Sequence, residues 1–162
     1  MTTDQTQLYQ EREDTQHGRF LTFALDGEVF GIEIKYVTEI VGLQPISQIP
    51  EVPAYIKGII NLRGRIIPVV DVRIKFKKEA AVYTDRTCII VIDTKDVNAG
   101  LIVDSVAEVI GIHDENISPP PAIGSGSHNS YLMGIGKVDG NVKLLLNCMK
   151  LFSEEEAHAL LA

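Results

Sequence analysis

The sequence has no excess of positive charge, and this excludes one broad class of partner. Acidic residues outnumber basic residues by 22 to 15, which gives a net charge of −7 at pH 7. Phosphate contacts require clustered Lys and Arg, so we predict no binding of nucleic acid. The densest basic group is short and comprises Arg73, Lys75, Lys77 and Lys78. Because charge runs are commonly solvated, we interpret this group as the exposed face of a turn.

Long hydrophobic runs are also missing. No stretch of about 18 apolar residues occurs, so we predict no direct insertion into a membrane. The N-terminal residues lack the basic start and the apolar stretch of a secretory signal. We therefore expect a cytoplasmic protein.

Cysteine is scarce, and familiar catalytic motifs are absent from the sequence. Cys88 and Cys148 each lie in an apolar run without a nearby histidine, which argues against a zinc site. A disulfide is not expected between two such residues in a cytoplasmic chain. The sequence contains no HExxH pair, GxSxG elbow or P-loop, and its carboxylates are scattered. We expect a protein that is not an enzyme and that uses no cofactor or metal.

The chain does contain many short apolar runs separated by turn residues. Apolar runs of this kind occupy residues 20–25, 65–71, 87–93 and 142–147. Asp-Gly and Arg-Gly pairs, which favour tight turns, stand between several of the runs. Many short strands at close spacing predict a mainly β fold, either a barrel or a sandwich.

The two ends of the chain differ from this β-rich middle. Residues 1–17 show no apolar period and predict a flexible tail. Ser153 and Glu156 have the spacing of a capping box, in which the N-cap and N3 side chains bond each other's backbone N–H groups. We therefore predict a C-terminal helix over residues 153–162.

An internal repeat is the most informative pattern in the sequence. Tyr55–Asp71 matches Tyr131–Asn147 at Tyr, both Gly and the final Asp or Asn, at a constant offset of 76. Gly31–Gly42 matches Gly100–Gly111 at an offset of 69. The second copy therefore carries about seven extra residues between Gly111 and Tyr131, in a segment rich in Pro, Gly and Ser. We infer two related β subdomains, the second with a longer loop.

Arg63 is the residue that distinguishes the two copies. Its counterpart in the second copy is Asp139, a reversal of charge. A functional Arg in a turn is expected to be fixed by a carboxylate, and Glu39 is the best candidate by its position in the repeat. A Glu among β-branched residues is typical of a groove rim or of an edge strand protected against aggregation. The sequence leaves both interpretations open.

The segment from Tyr55 to Arg73, YIKGIINLRGRIIPVVDVR, closely resembles the signature of CheW, a family of chemotaxis coupling proteins. Residues 30–40, 100–106 and 131–136 are also similar to the family. The resemblance covers about residues 18–155.

The resemblance implies two SH3-like five-stranded β-barrel subdomains that share a core, with short helices and a C-terminal helix. The CheW-like domain would span residues 18–155, with one subdomain at about 18–84 and the other at about 85–152. An exchange of strands between the subdomains is left open.

The implied function is that of a non-enzymatic scaffold. It would couple the cytoplasmic tips of methyl-accepting chemoreceptors to the regulatory domain of the histidine kinase CheA, in arrays associated with the membrane. The alternative is a CheW-like coupler of a non-flagellar pathway, such as one that controls pilus motility.

The resemblance also assigns residues to the two partners. Five positions match the receptor-binding surface, which comprises Val37, Glu39, Ile40, Arg63 and Val106. Glu39 and Arg63 match a charged pair that is important for coupling. Ile34 and Ile123 match positions that meet the kinase, and family members often have an aromatic residue where Ile123 stands.

Overall fold

The computed structural model describes residues 17–95, 97–120, 131–153 and 156–158. The strands are β1 (Arg19–Leu25), β2 (Glu28–Glu33), β3 (Val37–Gly42), β4 (Ile56–Leu62), β5 (Arg65–Asp71), β6 (Cys88–Asp93), β7 (Asn98–Val103), β8 (Ser105–Gly111), β9 (Ile117–Ser118), β10 (Leu132–Val138) and β11 (Asn141–Leu146). A short helix α1 spans Val72–Lys75, and 3₁₀ turns span Ile34–Tyr36, Asp114–Asn116 and Cys148–Lys150. The prediction of a mainly β fold is confirmed.

The strands form two sheets that exchange strands. Sheet A has six strands in the order β8-β1-β2-β11-β10-β9, and sheet B has five strands in the order β3-β6-β7-β5-β4. The chain starts in sheet A, crosses to sheet B after β2 and returns to sheet A after β7. Each sheet therefore takes strands from both sides of residue 84, and the subdomain bounds given above stay a prediction.

The internal repeat appears in the registers of the two sheets. In sheet B, β5 pairs in parallel with β7, and Val69 lies opposite Gly100. In sheet A, β11 pairs in parallel with β2, and Leu145 lies opposite Gly31. Val69 and Leu145 are related by the repeat offset of 76, and Gly31 and Gly100 are related by the offset of 69. The repeated segments therefore occupy equivalent places in the two sheets.

One apolar cluster draws buried side chains from both sheets, so the shared core is confirmed. Each of the following side chains is at most 1% exposed. From sheet A the cluster takes Phe23, Ile32 and Leu146, and from sheet B it takes Ile90, Ile92 and Leu101.

A buried lysine lies beside this core. The side chain of Lys75 is 5% exposed and forms an ion pair with Glu156. Its Nζ lies 4.5 Å from the ring centroid of Tyr55, 5.4 Å from that of Tyr131 and 5.5 Å from that of Phe152. We call these five residues the lysine cluster. Tyr55 and Tyr131 are counterparts in the repeat, so the ammonium contacts both halves of the chain.

The predicted capping box is confirmed. The Glu156 N–H donates to Ser153 Oγ at 3.1 Å, and the Ser153 N–H donates to Glu156 Oε1 at 3.2 Å. Residues 156–158 are helical, and the rest of the predicted helix lies outside the described residues. The predicted tail at 1–17 lies outside them as well, apart from residue 17.

The interpretation of the basic group as a solvated turn is wrong for Arg73 and Lys75. The Arg73 side chain is 17% exposed and pairs with Asp104, and Lys75 is buried against Glu156. The acidic partners are 31 and 81 positions away in the sequence. A prediction from neighbouring charges in the sequence could not take these distant partners into account. Within the described ranges, no helix is long and apolar enough to cross a membrane.

We predict that Gly58→Ala destabilises the protein. Gly58 has a φ of 145° at a bulge in β4, and an added Cβ would lie 2.1 Å from the Ser47 carbonyl oxygen. Because backbone cannot give way as a flexible side chain can, we expect a loss of about 2–4 kcal/mol in the free energy of unfolding. Urea denaturation measures this loss. Gly42→Ala is the control, since its Cβ would meet nothing within 4 Å, and equal losses for both variants would contradict the prediction.

We predict that Glu156 makes the stability of the protein sensitive to acid. Burial acts to raise the pKa of Glu156, but hydrogen bonds from Lys75, Tyr55 and the Ser153 backbone outweigh it and lower the pKa to about 2. The carboxylate is more acidic when folded, so its contribution is complete above its ordinary value of 4.5 and is lost as the pH falls toward 2.

Denaturation of the wild type and of Glu156→Gln between about pH 6 and pH 2 tests this contribution. The difference in stability between the two proteins should shrink as the pH falls through this range. Glu28→Gln, which removes an exposed carboxylate on β2, should show no such change. A pH-independent difference for Glu156→Gln would rule out the assignment.

Candidate functional site

The β4–β5 turn presents Arg63 to the solvent. Arg63 and Gly64 have φ values of 52° and 90°, as a two-residue turn between right-twisted strands requires. The Gly64 N–H donates to Asn61 Oδ1 at 2.8 Å and holds the turn in place. The Arg63 side chain is therefore 73% exposed.

Glu39 on β3 fixes the guanidinium of Arg63. Arg63 Nη2 donates to Glu39 Oε1 at 2.7 Å and to Oε2 at 2.5 Å. The Glu39 side chain is 26% exposed. The hydrogen bond and the negative charge of Glu39 raise the pKa of Arg63, which stays charged. The pairing predicted from the repeat is thus present.

The pair joins the two outer strands of sheet B. β3 lies at one edge of that sheet, and β4, which leads into the Arg63 turn, lies at the other. A second link is formed by Ser47 and Ile59, whose backbones exchange two hydrogen bonds of 2.9 Å. Sheet B therefore curls until its edges meet, and Glu39–Arg63 spans the junction on the outside.

Exposed apolar side chains flank the charged pair along the chain. Ile40, next to Glu39, is 43% exposed, and Ile66, in the hairpin of Arg63, is 60% exposed. Burial alternates along β3, so Ile40 and Glu39 lie on opposite faces of the strand. Ile66 was not singled out from the sequence, because its neighbour Ile67 is also apolar and only the structure shows which one is buried.

Val37 and Val106 take equivalent places in the two halves. Val37 begins β3 and Val106 is the second residue of β8, so each follows a crossing between sheets. Both are half-buried and pack against the shared core cluster, as does Ile34 in the 3₁₀ turn before β3. Ile123 lies outside the described residues.

Two further observations concern chemistry in the described part of the chain. No group of three or more His, Cys, Asp or Glu there could hold a metal ion. The Cys148 thiol is buried, and burial raises its pKa to about 12, so it is not a reactive thiolate at neutral pH.

Comparison with known proteins gives consistent matches across the folded region. The family model of the CheW-like domain matches residues 19–156. The chain is 36% identical over 143 residues to the chemotaxis protein CheW of Klebsiella aerogenes, covering 88% of this chain and 86% of that protein. It is 35% identical over 146 residues to the chemotaxis protein CheW of Rhizobium meliloti, covering 90% and 94%.

A solved structure agrees with these relatives. The crystal structure of the scaffolding protein TtCheW from Thermoanaerobacter tengcongensis superposes with a TM-score of 0.77 at 36% identity. The match covers 84% of this chain and 92% of that one. By sequence and by fold, this chain belongs to the CheW family of chemotaxis adaptor proteins.

Proposed function

We propose that this chemotaxis adaptor couples the cytoplasmic tips of chemoreceptors to the regulatory domain of a CheA-type histidine kinase, without catalysing a reaction. The observation that carries the proposal is the exposed Glu39–Arg63 pair. The named relatives are chemotaxis proteins, so a coupler of pilus motility is not favoured.

The fold alone gives little reason for an arginine at position 63. A non-glycine residue at positive φ is strained, and Asp and Asn tolerate that conformation better than Arg. The counterpart Asp139, at φ 50°, is such a residue. An exposed ion pair also adds little to stability. A residue that strains the backbone and adds little stability is expected where a partner protein contacts it.

The surroundings of the pair suit an amphipathic helical partner. Ile66 supplies exposed apolar surface in the hairpin of Arg63, and Ile40 supplies it on the face of β3 opposite Glu39. The Arg63–Glu39 pair supplies the charge. A helix that lays apolar side chains into a groove uses this combination. We assign Val37, Glu39, Ile40, Arg63 and Val106 to the receptor-binding surface, and we add Ile66.

The kinase would be met elsewhere on the molecule. Ile34 lies at the crossing from β2 to β3 and is half-buried, so it offers part of its side chain to a partner. We assign Ile34 and Ile123 to contacts with the kinase regulatory domain. The adaptor would act in the cytoplasm and would be recruited to receptor arrays at the membrane through these two surfaces.

Reconstitution tests the proposal as a whole. Receptor tips, CheA and this chain are combined, and kinase autophosphorylation is followed with and without the chain. We expect kinase activation by the receptor to require it. Activation of the same size in its absence would refute the proposed coupling.

We predict that Arg63→Glu weakens receptor binding while the fold survives. The change places a second carboxylate opposite Glu39, and we expect about a tenfold loss of affinity for the receptor tip, equivalent to about 1.4 kcal/mol. Calorimetric titration measures the loss, and thermal unfolding should be nearly unchanged because the side chain is 73% exposed. Arg65→Glu makes the same change of charge two residues away and serves as the control. Equal losses for both variants would show that Arg63 has no special part.

A further inference from the structure

We infer that Arg73 is a positioning residue for the proposed receptor-binding surface: its pair with Asp104 holds the start of β8 against sheet B and so sets the distance between Val37 and Val106. The importance of that distance rests on the function proposed above. We call the Arg73–Asp104 pair the clamp. Its proposed effect is to fix the orientation of the two sheets, and this effect can be tested without any partner.

Arg73 and Asp104 form a bidentate pair. Arg73 Nε donates to Asp104 Oδ1 at 2.8 Å, and Nη2 donates to Oδ2 at 2.6 Å. The two side chains are 17% and 31% exposed, so solvent screens this pair less than it screens Glu39–Arg63. Parallel N–H bonds from a planar guanidinium fix direction as well as distance.

A network around the pair involves three separate parts of the chain. Asp104 Oδ2 also accepts from the Asp26 N–H at 2.9 Å, in the turn between β1 and β2. Arg73 Nη1 donates to the Glu79 carbonyl at 3.2 Å and lies 3.5 Å from Asp26 Oδ1. Lys78 Nζ lies 3.6 Å from Asp26 Oδ2.

These residues link sheet B to sheet A. Arg73 lies in α1, directly after β5 of sheet B, and Asp26 lies in a hairpin of sheet A. Asp104 is the residue at which the chain leaves β7 and enters β8. The hydrogen bond of Arg73 lowers the pKa of Asp104 despite its burial, so the pair remains ionised at neutral pH.

The repeat shows that the strand arrangement does not require this pair. The counterpart of Arg73 is Met149, which has no hydrogen-bond donor in its side chain, and the counterpart of Asp104 is Lys35. The bidentate pair is therefore not reproduced at the other crossing, although the strands there take the equivalent arrangement. The pair adds a constraint to the second crossing beyond what the fold needs.

The constraint falls on the Val106 side of the proposed receptor-binding surface. Val106 stands two residues after Asp104, and its backbone pairs with Phe23 of β1. Val37, the equivalent residue of that surface in the other half, pairs with Ile92 of sheet B. Arg73 thus ties the β1–β8 corner of one sheet to the β5–α1 corner of the other.

Residual dipolar couplings of backbone amides test the clamp directly, because they report how the two sheets are oriented. For Arg73→Met we expect the couplings measured in each sheet to fit the wild-type structure of that sheet. The couplings of both sheets taken together should no longer fit the wild-type orientation of one sheet relative to the other. Arg73→Lys keeps the positive charge but cannot form the bidentate pair of hydrogen bonds. It should show the same change of sheet orientation to a smaller degree. Arg65→Met, an arginine removed from the surface of β5, should fit as the wild type does.

The clamp is ruled out if the Arg73→Met couplings fit the wild-type orientation of the two sheets and show no added motion of one sheet relative to the other. Should Arg73→Met not fold, Asp104→Asn is measured in the same way. Titration with the receptor tip gives the second readout, in which we expect about a fivefold loss of affinity for Arg73→Met. A wild-type chain that binds no receptor would defeat the proposed function and leave the couplings to decide the clamp. Altered couplings with wild-type affinity would overturn the link between the Arg73–Asp104 pair and receptor binding.

Discussion

A buried ammonium group needs a counter-charge, and Lys75 finds its own in Glu156, 81 positions away. The same ammonium lies over Tyr55 and Tyr131, which are counterparts in the two halves, and over Phe152. Removing Glu156 would leave the Lys75 ammonium, 5% exposed, buried without a counter-charge, which is more costly than never having had the pair. The lysine cluster therefore ties together the two repeats and the start of the C-terminal helix, and the core beside it depends on that tie.

Much of the fold followed from local patterns in the sequence. Turn pairs such as Asp26-Gly27 and Arg63-Gly64 lie between strands, and the Ser153–Glu156 capping box is formed. The duplication also allowed one partnership across the fold, Glu39 with Arg63, to be predicted from repeat position. These features need only neighbouring residues or the comparison of two copies within one chain.

Other features could not be predicted, because they depend on residues that the folded chain brings together. The exchange of strands between sheets leaves no local signal, since β2 and β3 look like consecutive strands of one unit. The burial of Lys75 and the pairing of Arg73 were missed because their carboxylates come from distant segments. Ile66 was missed because adjacent apolar residues on β5 hide which one faces solvent.

The two parallel pairings, β2 with β11 and β5 with β7, also govern how the protein is made. The first hairpin is made well before β11, the neighbour of β2 and the last strand in the described residues. The closure of sheet A therefore waits for the synthesis of β11 and is a contact of very long range. Such a sheet is expected to form slowly, and the unpaired edge of β2 is what a chaperone would have to shield until β11 has been made.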